Sequence, residues 1–204
     1  MNSDERRMGH FPNLGPNFPT SRDRKEISLK IGAIGRIAER IAANELEFRG
    51  FKVTDLNKGG PSENVDLLAA RDGRVVQIQV KGASQNKPNG WEDWWVGFGH
   101  CNAEIIAKQQ LMFNRVADSF YKAEVVALVA VRTPSEFCCV ILPVAEAERA
   151  AQISIDIYYR DPPRKPHYVS AYLDRIPSTR TPAKQPLFEE QLKILKLYKD
   201  NWNI

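Results

Sequence analysis

The sequence predicts a mixed α/β (α+β) domain whose central mixed sheet is flanked by helices, in the order helix, strand, strand, strand, helix, strand. Three observations lead there. Isoleucines recur at helical spacing at Ile27, Ile31, Ile34, Ile37 and Ile41. An Asp-Gly pair within Arg71-Asp72-Gly73-Arg74 separates two strand-like runs, a strong hairpin signal. Farther on, Glu124 to Val131 and Phe137 to Leu142 are apolar runs separated by the turn Arg132-Thr133-Pro134-Ser135.

Taken in order, residues 1–26 read as a flexible N-terminal arm, with Arg6, Arg7, Arg22, Arg24 and Lys25 among prolines and asparagines. Residues 27–204 read as one domain, with a core over about 30–145 and a C-terminal extension over about 146–204. The first helix runs from Ile27 to a glycine stop at Arg49-Gly50. Phe51 to Leu56 alternates as a strand and Asn57 to Ser62 is a loop. The hairpin follows, with strands over Val65 to Ala70 and Val75 to Lys81. Trp91 to Phe98 reads as a strand, about Asn102 to Phe120 as a helix, and Ala145 to Gln152 as a short helix after Pro143. Two proline-rich loops, Arg160 to Pro166 and Pro177 to Pro182, precede a final helix over about Leu187 to Tyr198. That helix is expected to pack Leu187, Phe188, Leu192, Leu195 and Tyr198 on the domain.

Composition sets the class without deciding the function. A 43% hydrophobic, 26% charged chain with no apolar run long enough to span a bilayer is expected to make no membrane contact. The polar, proline-bearing N-terminus lacks signal-peptide character, so the expected compartment is the cytoplasm. Adjacent Cys138 and Cys139 and the solitary Cys101 form neither a disulfide framework nor CxxC metal spacing, and all three are expected to be reduced. The net charge of +4 is compatible with a polyanionic partner but too small to imply one.

The chemistry concentrates between Gly32 and Lys81. At about 100° per residue the isoleucines fill one stripe of the first helix, and Arg36, Arg40, Asn44 and Glu47 share the polar side. Glu39 belongs to neither. It lies on a stripe with Gly32, Gly35, Ala42, Ala43 and Leu46, where missing side-chain volume lets another element approach. There it is either a solvated acid at the stripe edge or a part-buried one that needs a partner. Asp66 interrupts the strand-like Val65-Asp66-Leu67-Leu68-Ala69, as a functional acid or as a strand-start residue bonding the loop backbone. In Val76-Gln77-Ile78-Gln79-Val80-Lys81 the period of two puts Gln77, Gln79 and Lys81 on one face, which is either solvated or a polar site beside Asp66 across the hairpin.

Glu39, Asp66 and Gln79-Val80-Lys81, in this element order, resemble the PD-(D/E)XK nuclease superfamily, whose restriction-endonuclease-like core runs helix, strand, strand, strand, helix, strand. Gly35 to Glu39, Gly50-Phe51-Lys52-Val53, Ile78 to Gly82 and Val140-Ile141-Leu142-Pro143 are further similar to a bacterial and phage-type branch. The resemblance implies a DNA endonuclease. It makes Glu39, Asp66 and Gln79 ligands of Mg2+, with Mn2+ as a substitute, and makes Lys81 the partner of the attacking water. Gln79 stands where the family usually has Asp or Glu, which implies weaker metal binding because an amide oxygen carries no charge. The runner-up is a nucleic-acid-binding module of the same fold with weakened or lost catalysis, and the third reading is a protein-interaction factor.

Lys58, Arg74 and Lys87 are candidate phosphate contacts, as are Arg71 and the Arg160 to Lys165 loop. Trp91, with Trp94, Trp95 and Phe98, is a candidate base-stacking group, although such clusters also build cores. His100 has no ligand spacing around it. A homodimer is compatible with duplex cleavage, since one site cuts one strand.

Overall fold

The computed structural model describes residues 21–57, 65–84, 94–100, 104–105, 111–112, 123–133, 135–159, 168–174 and 182–204. The first helix, α1, spans Ser21–Phe48. It begins six residues before Ile27, inside the stretch expected to be an arm. Apolar periodicity registers only where a helix is to be buried, so the polar, helix-compatible run Ser21 to Glu26 carries no such signal. The helix ends as the sequence indicates. Gly50 takes φ +84°, Gly50 N–H donates to the Glu47 carbonyl (2.9 Å), and Phe51 N–H donates to the Leu46 carbonyl (3.1 Å), a Schellman cap. Leu46 and Phe51, the two residues such a cap brings together, are both buried in one core.

Strands β1 (Lys52–Asp55), β2 (Leu67–Arg71) and β3 (Arg74–Ser84) form an antiparallel meander. Asp72 and Gly73 between β2 and β3 have φ of 53° and 80°, the two positive values of a type I′ turn, so the Asp-Gly signal holds. Two-residue hairpins fix register, here Arg71 opposite Arg74 through Leu67 opposite Ile78.

Next come β4 (Trp95–His100), β5 (Glu104–Ile105) and β6 (Leu111–Met112). The helix expected over 102–120 is therefore strand at those four residues of β5 and β6, which pair with each other, and the rest of that stretch lies outside the described residues. Mixed apolar and polar spacing in a short run does not separate helix from strand. Strands β7 (Val125–Thr133) and β8 (Glu136–Pro143) complete the main sheet, ordered β1-β2-β3-β7-β8, with β3 and β7 parallel and the other pairs antiparallel. Val125 to Val131 is buried throughout, as suits an apolar strand covered on both faces.

One face of the sheet carries α1, with Leu67, Ala69, Val76, Ile78 and Val80 packed beneath Ala38, Ile41, Ala42 and Leu46. Ile34 and Ile37 are only half-buried, so α1 is rotated from the isoleucine stripe toward the small residues. Gly82 explains this rotation. A Cβ there would lie 2.6 Å from Ala38 Cβ and 3.2 Å from the Ile34 carbonyl oxygen, so helix and strand meet where side chains are smallest.

The opposite face carries α2 (Val144–Tyr159), longer than the 145–152 expected. Ser154, a weak helix former, is fully buried inside it, and its hydroxyl accepts from Ser170 N–H at 3.1 Å. Ser170 belongs to β9 (Tyr168–Tyr172), which pairs antiparallel with β4 and which the proline-rich surroundings had hidden. A short 3-10 turn (Pro182–Lys184) leads into α3 (Gln185–Leu197). In α3, Phe188 and Leu195 are buried as expected, together with Gln191 and Ile194. The C-terminal residues then pair with β8 through Ile141 N–H to the Tyr198 carbonyl and Asp200 N–H to the Cys139 carbonyl (both 3.0 Å), and Trp202 is buried in the α1-side core. No helix among the described residues is long and apolar enough to cross a membrane.

Candidate active site

Asp66 sits where the β2–β3 ladder ends. Its N–H donates to the Ile78 carbonyl (2.9 Å), whereas its carbonyl accepts from Leu56 N–H (2.9 Å) toward β1. The carboxylate supplies the acceptor for the next donor on β3, taking Val80 N–H on Oδ2 at 2.7 Å. The backbone-bonding role that the sequence left open for Asp66 is therefore real. It does not exhaust the side chain, because Oδ1 accepts from Asn57 Nδ2 at 2.9 Å and each carboxylate oxygen retains a lone pair.

Gln79 and Lys81 alternate with Val80, so they belong to the face of β3 opposite α1. Neither is solvated as on a free amphipathic strand. Gln79 is 3% exposed, and its Oε1 has no hydrogen-bond partner among the described residues. A buried acceptor without a donor is costly unless something electropositive meets it. Burial lowers the Lys81 amine below the usual lysine range, and the Asp66 charge opposes that shift.

Glu39 reaches the same region from α1. Burial raises its carboxyl above the ordinary value, a hydrogen bond from Asn57 lowers it, and the charges of Asp66 and Asp55 raise it again. Asp66 is thus within electrostatic reach of both Glu39 and Lys81, and Asn57 stands between the two acids. Glu39 and Asn57 also line a cavity of about 460 Å³ between α1 and β1, whose walls include Arg36, Arg40, Asn44 and Asp55.

Asp66 is therefore the common neighbour, with Glu39 reaching it from the α1 side and Lys81, two residues beyond Gln79, from the other face of β3. The oxygens of the two carboxylates are the kind of ligand a hard divalent cation takes, as is the amide oxygen of Gln79, which has no partner among the described residues. No group of three His, Cys, Asp or Glu residues is gathered for a metal among the described residues.

Arg74 lies apart. It is exposed beside the hairpin turn, five residues and about 16 Å along β3 from Gln79. Trp94 packs against the core with the Arg132 guanidinium 4.3 Å above its ring, which is a structural role. Lys58, Lys87 and Trp91 lie outside the described residues, as do Cys101 and the His100 side chain, whereas Cys138 and Cys139 are free and buried. Asn57 and Asp55 were missed. The only sequence signal was an Asp-x-Asn spacing where a strand meets a loop, in which Asp55 Oδ1 accepts Asn57 N–H at 2.9 Å.

No family model matches the chain. A segment of 54 residues is 39% identical to UPF0102 protein TW312 of Tropheryma whipplei (strain TW08/27), covering 26% of this chain and 45% of that protein, less than half its length. Among solved structures the chain is similar to the bacterial homing endonuclease I-Ssp6803I, at 15% identity and a TM-score of 0.43, over 81% of this chain and 93% of that one. By its own strand order, the parallel β3–β7 pair and the flanking helices, the chain is a mixed α+β domain built on a central mixed sheet.

Proposed function

We propose that this protein is a divalent-metal-dependent endonuclease that hydrolyses DNA phosphodiester bonds. The observation that carries the reading is the Gln79 amide oxygen, buried and without a partner among the described residues, on the strand that also bears Lys81 and whose Val80 N–H binds the Asp66 carboxylate. Glu39, Asp66 and Gln79 would hold a magnesium ion, or manganese in its place. Bound there, the ion supplies positive charge to the phosphodiester oxygens as negative charge builds on them. Burial favours the neutral amine of Lys81, which suits it to orient the attacking water and to take its proton. Arg36, Arg40 and Asn44, on the cavity wall next to Glu39, contact the phosphates of the bound strand. Free buried thiols fit a reducing cytoplasm, and cutting both strands of a duplex calls for two copies of the single site.

Incubation with plasmid and with single-stranded DNA, in Mg2+, Mn2+ or EDTA, tests the proposal. Metal-dependent cleavage by the wild type and its loss in Asp66→Ala are expected. No cleavage, or equal cleavage by Asp66→Ala, refutes it. The neutral charge of Gln79 supports a second reading, a DNA-binding module with weakened catalysis. Its mark is salt-dependent binding without cleavage, and higher activity in Gln79→Glu would count against lost chemistry.

A further inference from the structure

Asn57 follows the end of β1 and faces two acids that repel each other. Its Nδ2 lies 2.9 Å from Asp66 Oδ1, its side chain also hydrogen-bonds Glu39, and its N–H is held by Asp55 Oδ1 at 2.9 Å. A primary amide carries two N–H groups on one nitrogen and can serve two carboxylates at once, whereas a hydroxyl donates once. Asp66 is meanwhile fixed at its other oxygen by Val80 N–H. With both oxygens of Asp66 anchored and Glu39 tied to the same amide, the spacing of the two acids is set by Asn57. Asp55, through the backbone, sets Asn57 in turn.

We propose that Asn57 is a positioning residue that bridges Glu39 and Asp66, so that their remaining lone pairs converge on one divalent cation. This inference rests on the metal-dependent reading above. It predicts that Asn57 governs metal affinity through the two acids without itself holding the ion. Asn57→Ala leaves both carboxylates in place without their common donor, and Asn57→Ser restores one donor at most. Hydrogen-bonding partners of metal ligands commonly change affinity by about 10- to 100-fold.

The test is a titration of the full-length wild type, Asn57→Ala, Asn57→Ser and Asp66→Ala with Mn2+ and with Mg2+. Thermal unfolding is the readout, and circular dichroism in EDTA checks that each variant is folded. The expected result is a metal-dependent rise in Tm for the wild type and none for Asp66→Ala. Half-saturation in Asn57→Ala should move about 10-fold or more to higher metal, with Asn57→Ser in between. Cleavage by Asn57→Ala should recover at saturating Mn2+, a response that a general loss of structure does not give. Half-saturation within twofold of wild type in both Asn57 variants overturns the positioning role and leaves the metal reading standing. A wild type with no metal-dependent shift overturns both. If Asn57→Ala does not fold, Asn57→Ser alone decides, by the same twofold criterion.

Discussion

Replacing Gln79 by glutamate changes one atom's identity and adds one charge, and the surroundings of Gln79 give the consequence a sign and a size. The side chain is 3% exposed with no donor to Oε1 among the described residues, so in EDTA at pH 8 the new carboxylate is buried without a donor. An uncompensated buried charge costs about 3–5 kcal/mol, and Lys81, two residues along the same face, offsets part of it, leaving about 2–4 kcal/mol. For a chain of this length each kcal/mol moves Tm by about 2–4 °C, so Gln79→Glu should melt about 4–16 °C below the wild type in EDTA. Burial raises the introduced carboxyl in the folded state, so the penalty grows as pH rises above the unfolded value and is complete once pH passes the folded one. It is absent below the unfolded glutamate value of about 4.3, where both states are protonated. The deficit should therefore shrink when melting is repeated near pH 4. Magnesium should reverse it, since a ligand at 100 times its dissociation constant stabilises by about 2.7 kcal/mol and a third negative ligand binds more tightly than an amide. Differential scanning calorimetry with and without Mg2+ measures all three quantities. A deficit that is the same at pH 4 and pH 8 and unchanged by Mg2+ refutes the assignment of Gln79 to a cation site.

Three further outcomes follow from the same geometry. Lys81→Ala should lower the metal-dependent cleavage rate by about 10²-fold or more, read in a plasmid-nicking time course at saturating metal. Because burial and neighbouring acids raise the Glu39 carboxyl, its ionisation opposes folding increasingly above the unfolded value and in full above the raised one. Glu39→Gln should therefore melt above the wild type at pH 8 in EDTA, converge with it near pH 4, and lose the Mg2+-dependent rise. Gly82→Ala places a methyl 2.6 Å from Ala38 Cβ and should cost about 1–3 kcal/mol in urea unfolding without moving any site residue directly.

Sequence alone determined what depends on neighbours in the chain. The Schellman stop at Gly50, the type I′ turn at Asp72-Gly73 and the alternation that separates Gln79 and Lys81 from Val80 are local properties of backbone and period, and all are found where the pattern placed them. Asp66 was legible because it interrupts an apolar run, and Lys81 because the strand period puts it on one face with Gln77 and Gln79. Tertiary structure decided the rest. The buried face of α1 turned on Gly82, 44 residues beyond Ala38, because close approach is a property of two surfaces and not of one helix. Strand β9 exists through its pairing with β4, about 70 residues earlier, which no local window contains. Asn57 looked like an ordinary loop residue. Its place between Glu39 and Asp66 arises only when α1, the end of β1 and the start of β2 meet, because a hydrogen bond between distant side chains leaves no periodic trace in the chain.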